Sequence, residues 1–377
     1  MPAMRRLVLN GFFLVALACT AIGLVEAGFI AYDWWSGGSM SSLRAPDLGR
    51  GVRSWTVHHA MRPGYEDSAV TLNSFGLRSP EVDVPKPTGT HRILLLGDSF
   101  TFGFKAADED VFARRVEANL RQALGTDAVE VVNAGVLSYC PLLEYLQYRH
   151  HLHALEPDLV ILNFDMSDVQ DHLEYSRDLV RAADGTPLFV TEPSLGRQVP
   201  SRVPGLLSWQ WVATKARAAI NRFESASTGV PFTRDLDRYL WTFDEGPPMD
   251  REALEAMASI GDLKRLLDRD GVPLVLATYP QPWQVAGDAT PGGTIRAQYG
   301  IGANTVHLND RPFRLLEQFA AGQAIPFVNA TMKFREAPEP AGLFLVDDFH
   351  FSPRGNDVYA GVLTAHVLER VRSGEIR

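Results

Sequence analysis

Residues Arg92–Phe104 decide the fold, and they read Arg-Ile-Leu-Leu-Leu-Gly-Asp-Ser-Phe-Thr-Phe-Gly-Phe. The apolar run Ile93–Leu96 is typical of a short strand that is buried on both faces of a sheet. Gly97 ends the run and allows a sharp turn or the close approach of a substrate. Ser99 is therefore expected at the carboxyl end of a central strand, where open α/β sheets bind their ligands.

Three interpretations of this turn compete. A phosphate-binding loop would need a lysine where Phe104 stands, and the spacing of Gly97 and Gly103 does not fit one. A nucleophile elbow of the Gly-x-Ser-x-Gly type would need glycine in place of Thr101. The third interpretation is a polar strand-to-helix turn in which Ser99 only caps a helix.

A second polar motif, close to the C-terminus, supplies what a serine nucleophile needs. It reads Asp-Asp-Phe-His-Phe-Ser-Pro-Arg-Gly over residues 347–355. A serine nucleophile requires a base, and the base requires a carboxylate that orients it. His350 is the candidate base and Asp347, three residues earlier on a loop, is the expected orienter. Asp348 is the rival, although adjacent side chains tend to point apart.

Together these motifs resemble the SGNH (GDSL-type) hydrolase family over about residues 72–370, in the form of its membrane-anchored bacterial members. Gly-Asp-Ser-Phe-Thr-Phe-Gly matches the first family block, and the resemblance makes Ser99 the nucleophile. Asp347-x-x-His350 matches the last block, which carries the orienter and the base. Asn-Ala-Gly-Val at 133–136 matches the second block, and the resemblance implies that Gly135 donates a backbone N–H to the oxyanion.

The third block departs from the family pattern. The family places an oxyanion-donating asparagine after the third strand, whereas this chain reads Asn-Phe-Asp-Met-Ser-Asp over 163–168. Ser167 stands at the asparagine position, and a hydroxyl reaches less far than an amide. Asn163 is the alternative donor. Loss of one such donor typically costs about 100- to 1,000-fold in turnover.

The rest of the chain predicts a three-layer α/β/α sandwich with a mostly parallel, flavodoxin-like sheet of about five strands. Its apolar runs lie at 93–96, 129–132, 158–164, 272–279 and 326–329, separated mainly by helical patterns. Ser99, Gly135 and Ser167 would follow the first three strands. Together with the loop that carries Asp347 and His350, they should meet at one edge of the sheet.

The predicted domain organisation has three parts. Residues 1–35 form a membrane anchor or a signal segment, because Arg5 and Arg6 precede a long apolar run that is followed by interfacial aromatics. An uncleaved anchor is the preferred interpretation and a cleaved signal peptide the alternative. Residues 36–90 are a linker and lead-in, in which Arg78 has a structural role or, alternatively, a substrate contact. Residues 91–372 form the hydrolase-like domain.

That domain contains an insertion at about 172–248, whose aromatic residues include Trp209, Trp211, Tyr239 and Trp241. Aromatic rings of this kind stack on sugars in many sites, and equally well form a small core of their own. The insertion is therefore expected either to shape the substrate cleft or to pack on itself.

Composition excludes several classes of function. A formal net charge of −9 argues against nucleic acid as a partner, because phosphate binding requires a basic face. The two cysteines, Cys19 and Cys140, do not make a disulfide framework, since the first lies in the apolar N-terminal run. No metal set and no cofactor motif is evident, so neither is predicted.

These features predict a serine esterase or acylhydrolase that works through an acyl-enzyme on the extracytoplasmic, periplasmic side of a membrane. Ser99, His350 and Asp347 would be catalytic, and Ser99, Gly135, Ser167 and Asn163 would supply the oxyanion hole. The substrate would be a small ester or an acylated carbohydrate or lipid. A carbohydrate O-acyltransferase and an inactive, membrane-tethered binding protein remain open, because the first shares the acyl-enzyme and the second would explain Ser167.

Overall fold

The computed structural model of the chain describes residues 50–191, 238–290, 295–296, 299–302 and 304–374, together with positions 20, 23 and 25. Its strands, in chain order, are β1 (Gly51–Arg53), β2 (His59–Met61), β3 (His91–Gly97), β4 (Val129–Asn133), β5 (Leu159–Phe164), β6 (Leu179–Arg181), β7 (Pro187–Val190), β8 (Leu274–Thr278) and β9 (Phe327–Asn329).

The α-helices within these ranges are α1 (Ser99–Phe102), α2 (Phe112–Leu124), α3 (Pro141–Gln147), α4 (Asp168–Tyr175), α5 (Asp250–Asp270), α6 (Arg311–Gly322), α7 (Thr331–Glu336) and α8 (Pro353–Arg372). Short 3-10 turns lie at Asp108–Asp110, His153–Leu155, Ser176–Asp178, Leu240–Thr242, Pro282–Gln284 and Pro340–Leu343, and a π turn at Tyr148–Leu152. Proline occupies the first turn of α3, α6 and α8, where its missing N–H costs no hydrogen bond.

The central sheet has five strands in the order β4-β3-β5-β8-β9, and all of its pairings are parallel. Counted among these five strands, the order is 2-1-3-4-5, which is the flavodoxin-like arrangement. The five strands coincide with the five predicted apolar runs, so the prediction of a mostly parallel α/β sheet is confirmed. Two further two-stranded sheets, β1-β2 and β6-β7, lie outside it.

Alternation along β3 shows how the core is divided. Leu94 and Leu96 belong to one buried apolar cluster, which also contains Leu142 of α3 and Ile260 of α5. The neighbouring residue Leu95 belongs to a second cluster, formed with α2 and α8 on the opposite face of the sheet. Because successive side chains of a strand point to opposite faces, helices cover both faces and the fold has three layers.

The lead-in segment packs into the same core as the sheet. Val57, Met61, Leu72 and Leu77 are buried members of the first cluster. The described residues from 52 onward belong to one compact unit. The predicted domain boundaries at 35 and 90 and the insertion at 172–248 stay predictions.

The predicted membrane anchor, residues 1–35, lies outside the described residues except for positions 20, 23 and 25. In the described part of the chain, none of the helices combines the length and the apolar character that crossing a membrane requires.

Candidate active site

Ser99 lies where the sequence predicts it, immediately after β3. Gly97 is required there, because an added Cβ would come within 2.1 Å of the Thr101 hydroxyl oxygen. Ser99 itself does not cap the helix that follows. The cap of α1 is Asp98, whose Oδ1 accepts the Phe100 N–H at 2.9 Å. The hydroxyl of Ser99, the first residue of α1, is thereby left for other partners.

Those partners form a hydrogen-bonded chain of three side chains. The Ser99 Oγ lies 2.8 Å from the His350 Nε2. The His350 Nδ1 lies 2.6 Å from the Asp348 Oδ1, which also accepts the His350 backbone N–H at 2.9 Å. Because an ionised carboxylate only accepts, the proton of the neutral imidazole belongs on Nδ1, and Nε2 is the acceptor that faces the serine.

The expectation that Asp347 orients His350 is wrong on this geometry, since Asp348 holds that position. Asp347 adopts a left-handed backbone conformation with φ of 53°, and its Oδ1 accepts the Ile295 N–H at 3.0 Å. The tight turn between Leu345 and His350 places Asp348, two residues before the histidine, where one oxygen accepts both N–H groups of His350. The family-like spacing of three residues therefore does not identify the carboxylate.

Hydrogen bonds and charge keep Asp348 ionised against the effect of burial. Burial alone would raise the pKa of this carboxyl, but hydrogen bonds and charge from His350, with a hydrogen bond from Lys105, hold the pKa well below its usual range. Phe100, Phe104 and Phe349 surround the imidazole with ring-centroid distances of 4.8, 4.9 and 4.5 Å. The His350 side chain is 7% exposed.

The predicted oxyanion donors occupy different surroundings. Asn163 is fully buried inside the sheet, where its Nδ2 donates to the Leu96 carbonyl at 2.8 Å and its Oδ1 accepts the Tyr359 hydroxyl at 2.7 Å. Both ends of the amide are engaged in the core, so Asn163 as an oxyanion donor is a wrong prediction. Its role is to tie β3, β5 and α8 together.

Gly135 and Ser167 are also held by their own loops. The Gly135 N–H donates to the Asn133 Oδ1 at 3.0 Å, and an added Cβ would lie 2.3 Å from the Phe102 backbone nitrogen. That glycine is therefore needed for the close packing of the loop against α1. The Ser167 N–H donates to the Asp165 Oδ1 at 2.8 Å. The Ser167 hydroxyl, which is the predicted donor, also hydrogen-bonds to the Asp165 carboxyl. Among the backbone N–H groups of Ser99, Gly135 and Ser167, that of Ser99 is the one for which the described part of the chain provides no acceptor.

Behind the serine lies a group of buried carboxyls that sequence inspection missed. Burial raises the pKa of every member, and mutual repulsion adds to the rise for most; the five are Asp98, Glu144, Asp165, Asp168 and Asp171. Arg238 pairs with Asp171 at 2.5 Å, and burial raises the pKa of this aspartate to about 7. Asp98 lies nearest the chemistry, with its Oδ2 3.4 Å from the Ser99 Oγ.

Arg78 is structural. It is 4% exposed and uses all five guanidinium N–H groups, donating through Nε to Asp108 and through Nη1 and Nη2 to backbone carbonyls of Ala69, Phe102, Gly103 and Ala106. Three of these carbonyls belong to the end of α1 and the turn after it. The alternative of a substrate contact is therefore not supported, because no donor is left over.

The aromatic residues of the insertion that the structure describes are core residues. Tyr239 and Trp241 are 1% and 4% exposed, and the indole N–H of Trp241 donates to the Met166 carbonyl at 2.8 Å. A sugar could not stack on rings so enclosed. They are part of the main core rather than of a separate small one, and the Tyr239 ring lies 5.2 Å from that of Trp283 and 5.3 Å from that of Tyr299. Trp209 and Trp211 lie outside the described residues.

Fold and site together define an α/β protein with a serine, a histidine and a carboxylate in one hydrogen-bonded chain, the arrangement that serine hydrolases use. The family model of the GDSL-like lipase/acylhydrolase family matches residues 95–358. The chain belongs to that family, whose members are hydrolases acting on ester bonds. No curated protein is similar enough to the chain to match it.

Solved structures with a similar course of the chain include a lipase/acylhydrolase from Enterococcus faecalis, at 12% identity and a TM-score of 0.41, covering 74% of this chain and 97% of that one. A catalytic mutant of an acetylxylan esterase from Geobacillus stearothermophilus matches at 14% identity and a TM-score of 0.39, covering 74% and 94%. A GDSL-like lipase from Bacteroides thetaiotaomicron matches at 12% and 0.36, covering 76% and 92%. At these scores the matches carry no argument about activity, and membership rests on the family model.

Proposed function

We propose that the protein is a serine esterase that cleaves acyl esters through an acyl-enzyme on Ser99. The observation that supports it is the chain of two short hydrogen bonds, 2.8 Å from Ser99 to His350 and 2.6 Å from His350 to Asp348. Distances of this size are those of a nucleophile in contact with its base and of a base held by its orienter.

In the first half-reaction the His350 Nε2 takes the proton of the Ser99 hydroxyl while Oγ attacks the ester carbonyl. Asp348 stabilises the imidazolium that forms, and the Ser99 N–H donates to the carbonyl oxygen as it becomes negative. The bond to the leaving alkoxide then breaks, and His350 returns the proton to it. An alcohol leaves, and the acyl group stays on Ser99.

In the second half-reaction His350 takes a proton from water, and the resulting hydroxide attacks the acyl-enzyme. Collapse of the second tetrahedral intermediate releases the acid and returns the proton to Ser99. The half-buried rings of Phe104 and Phe349 stand beside the imidazole, so the substrate is expected to bring a small acyl group next to them. Small esters and acylated carbohydrates or lipids are the proposed substrate class.

A fluorophosphonate probe tests this proposal directly, because it phosphonylates only an activated serine. Labelling of the wild type is expected, and labelling should vanish in Ser99→Ala but persist in Ser373→Ala, which alters an exposed hydroxyl on the C-terminal helix end. An unlabelled wild type that is nevertheless folded would refute the esterase. A trapped acyl-enzyme that water leaves intact and a glycan discharges would instead identify an O-acyltransferase.

We also propose that residues 1–35 anchor the protein in a membrane, with the enzyme on the extracytoplasmic side. The support is the sequence alone: two arginines precede an apolar run of spanning length, and Tyr32, Trp34 and Trp35 follow it. Full-length protein should remain in the membrane fraction after a carbonate wash, whereas a variant without these residues should not. Release of the full chain by the wash would remove the anchor from the proposal.

A further inference from the structure

Lys105 binds the candidate orienting carboxylate from the side that His350 leaves unused. Its Nζ lies 2.5 Å from the Asp348 Oδ2, across 243 positions of sequence. Asp348 therefore divides its two oxygens: Oδ1 accepts from the imidazole and the backbone of His350, and Oδ2 accepts from the ammonium. Within the described residues, Asp348 is the one carboxylate that Lys105 meets.

The backbone holds Lys105 in this position at some cost. Lys105 has a φ of 62°, a left-handed conformation that is unfavourable for a residue with a side chain. Arg78 fixes the turn on both sides of it, through the carbonyls of Gly103 and Ala106. These hydrogen bonds hold the turn in the shape that places Lys105 next to Asp348. The turn directly follows α1, the short helix that begins with Ser99.

The ammonium stays in contact with solvent while its partner is enclosed. The Lys105 side chain is 55% exposed and that of Asp348 is 8% exposed. The Lys105 Nζ lies 5.6 Å from the centroid of the Phe104 ring, and this ring in turn lies 4.9 Å from the imidazole. A rim of Lys105 and Phe104 thus closes the solvent side of the Asp348–His350 pair.

We propose that Lys105 is a positioning residue for Asp348, which both fixes the rotation of the carboxylate and offsets part of its charge. The proposal rests on the esterase function above. A fixed carboxylate keeps the imidazole aligned with Ser99, and alignment errors of about 1 Å can cost on the order of 100-fold in rate. A partly neutralised carboxylate stabilises the imidazolium less, so removal of the Lys105 charge is expected to change the pH profile of kcat/KM.

Two other charged side chains lie near His350 and also affect the electrostatic potential at the imidazole. Asp98 comes from the junction of β3 and α1, next to Ser99. Asp165 comes from the end of β5, and the charge of His350 lowers its pKa against the larger effect of burial. Both are acidic, so within the described residues that contact Asp348 or His350, Lys105 is the cation that opposes them.

The test compares Lys105→Met, which keeps the length but not the charge, with Lys105→Arg, which keeps the charge. Lys86→Met is the matched control, because Lys86 forms a similar ion pair with Asp158 at 2.6 Å at the opposite edge of the sheet. Turnover and KM on a small nitrophenyl ester are measured from about pH 5 to about pH 9. Fluorophosphonate labelling and melting temperatures are recorded for each variant.

Lys105→Met should lower kcat about tenfold with KM within about twofold, and should move the acidic limb of the kcat/KM profile to higher pH by on the order of half a unit. Lys105→Arg should restore both, and Lys86→Met should match the wild type. If Lys105→Met matches the wild type in rate and profile while the wild type labels normally, the proposal is refuted and the esterase stands. A raised KM with unchanged kcat would also refute it, since Lys105 would then contact substrate. An unlabelled wild type would refute both.

Discussion

The carboxyl and amino ends of the parallel strands form two edges of the central sheet that differ in character. The carboxyl edge carries polar and charged side chains, and the amino edge carries mainly apolar ones. At the carboxyl edge, Asp98 and Ser99 follow β3 and Asp165 follows β5, and burial raises the pKa of both aspartates. At the amino edge, a cavity of about 220 Å³ is lined mainly by apolar side chains of the same strands and of α2 and α8, among them Ile93, Leu159 and Val367.

The difference shows that the destabilising features of this fold are concentrated at the carboxyl edge. Buried, mutually repelling carboxyls destabilise the carboxyl edge, and left-handed backbone at Lys105 and Asp347 adds local strain there. The amino edge carries ordinary apolar packing with an incompletely filled space. We therefore expect substitutions at the carboxyl edge to affect turnover, and substitutions at the amino edge to affect only stability.

The largest contrast should come from the two adjacent aspartates at the carboxyl edge. Asp348→Asn should lower turnover by about 10⁴-fold, because an amide that donates to Nδ1 leaves the imidazole in the wrong tautomer. Asp347→Asn should change turnover less than about threefold, since asparagine tolerates the left-handed backbone and keeps the oxygen that binds Ile295. Steady-state kinetics on a small ester measures both.

Equal losses in the two aspartate variants would mean that the loop around Asp347, rather than a single carboxylate, sets the activity. A larger loss in Asp347→Asn would restore the assignment that the sequence spacing suggests. Labelling by fluorophosphonate reports independently on the reactivity of Ser99 in each variant.

The second contrast compares two buried arginines, one at each edge. Arg78 binds carbonyls around α1, and Arg92 binds the carbonyls of Leu155 and Asp83 together with Glu130. Replacement of either by lysine removes the guanidinium fork and should lower the free energy of unfolding by about 2–4 kcal/mol. Only Arg78→Lys should also lower kcat, because Ser99 and Lys105 move with their turn.

Urea denaturation and kinetics on both arginine variants separate the two effects. Loss of kcat in Arg92→Lys as well, measured where each protein is fully folded, would contradict the division between the edges. Retained kcat in Arg78→Lys would show that the turn after α1 holds its shape without the five donated hydrogen bonds.

The third prediction concerns the pH dependence of stability. Burial, followed by repulsion from Glu144, raises the pKa of Asp168 well above its usual value of 3.8. A raised carboxyl pKa means that the folded state holds the proton more tightly than the unfolded state, so its contribution to stability falls as pH rises above the unfolded pKa. Asp168→Asn removes this loss, and its melting temperature relative to wild type should increase from about pH 5 to about pH 8.

By unfolding measurements, the gain should grow with pH by up to about 1.4 kcal/mol for each pH unit between the unfolded and the folded pKa of Asp168, the free energy that corresponds to one pKa unit. Asp127→Asn, at an exposed turn, is the control for the change from aspartate to asparagine. A gain for Asp168→Asn that is constant with pH would exclude titration as its cause.

The smallest effect is expected at the amino edge. Val367→Ile adds one methyl group to a side chain that lines the apolar cavity and should raise the free energy of unfolding by about 0.5–1 kcal/mol without changing turnover. Val367→Ala should lower it by about 2 kcal/mol. Destabilisation by the larger side chain, detected by urea denaturation, would show that this part of the cavity has no room for a methyl group.

Much of this architecture could be predicted from the sequence. Apolar runs at regular spacing predict the five strands, because each strand must bury both faces between helices. The positions of Ser99 and His350 follow from that sheet, since parallel strands end at one edge and the last helix begins next to it. The contact between Ser99 and His350, a hydrogen bond of 2.8 Å, could therefore be predicted from the sequence.

The choice between Asp347 and Asp348 could not be predicted. It depends on a single left-handed residue at 347 and on a hydrogen bond to Ile295, 52 positions away. The oxyanion donors show the same limit, because Asn163 and Gly135 are close to the strand ends but are already bound to Leu96 and Asn133. Family blocks indicate which residues lie near the site, not which of their atoms are free.

The sequence by itself determined the sheet and the positions of Ser99 and His350 at its carboxyl edge, because runs of apolar residues can be recognised in short segments and each buries a whole strand. The tertiary structure alone decided the orienting carboxylate, the contact of Lys105 with it and the structural role of Arg78. Each of these depends on directional hydrogen bonds between segments far apart in the chain, and a hydrogen bond is made or lost by less than 1 Å or by one backbone angle.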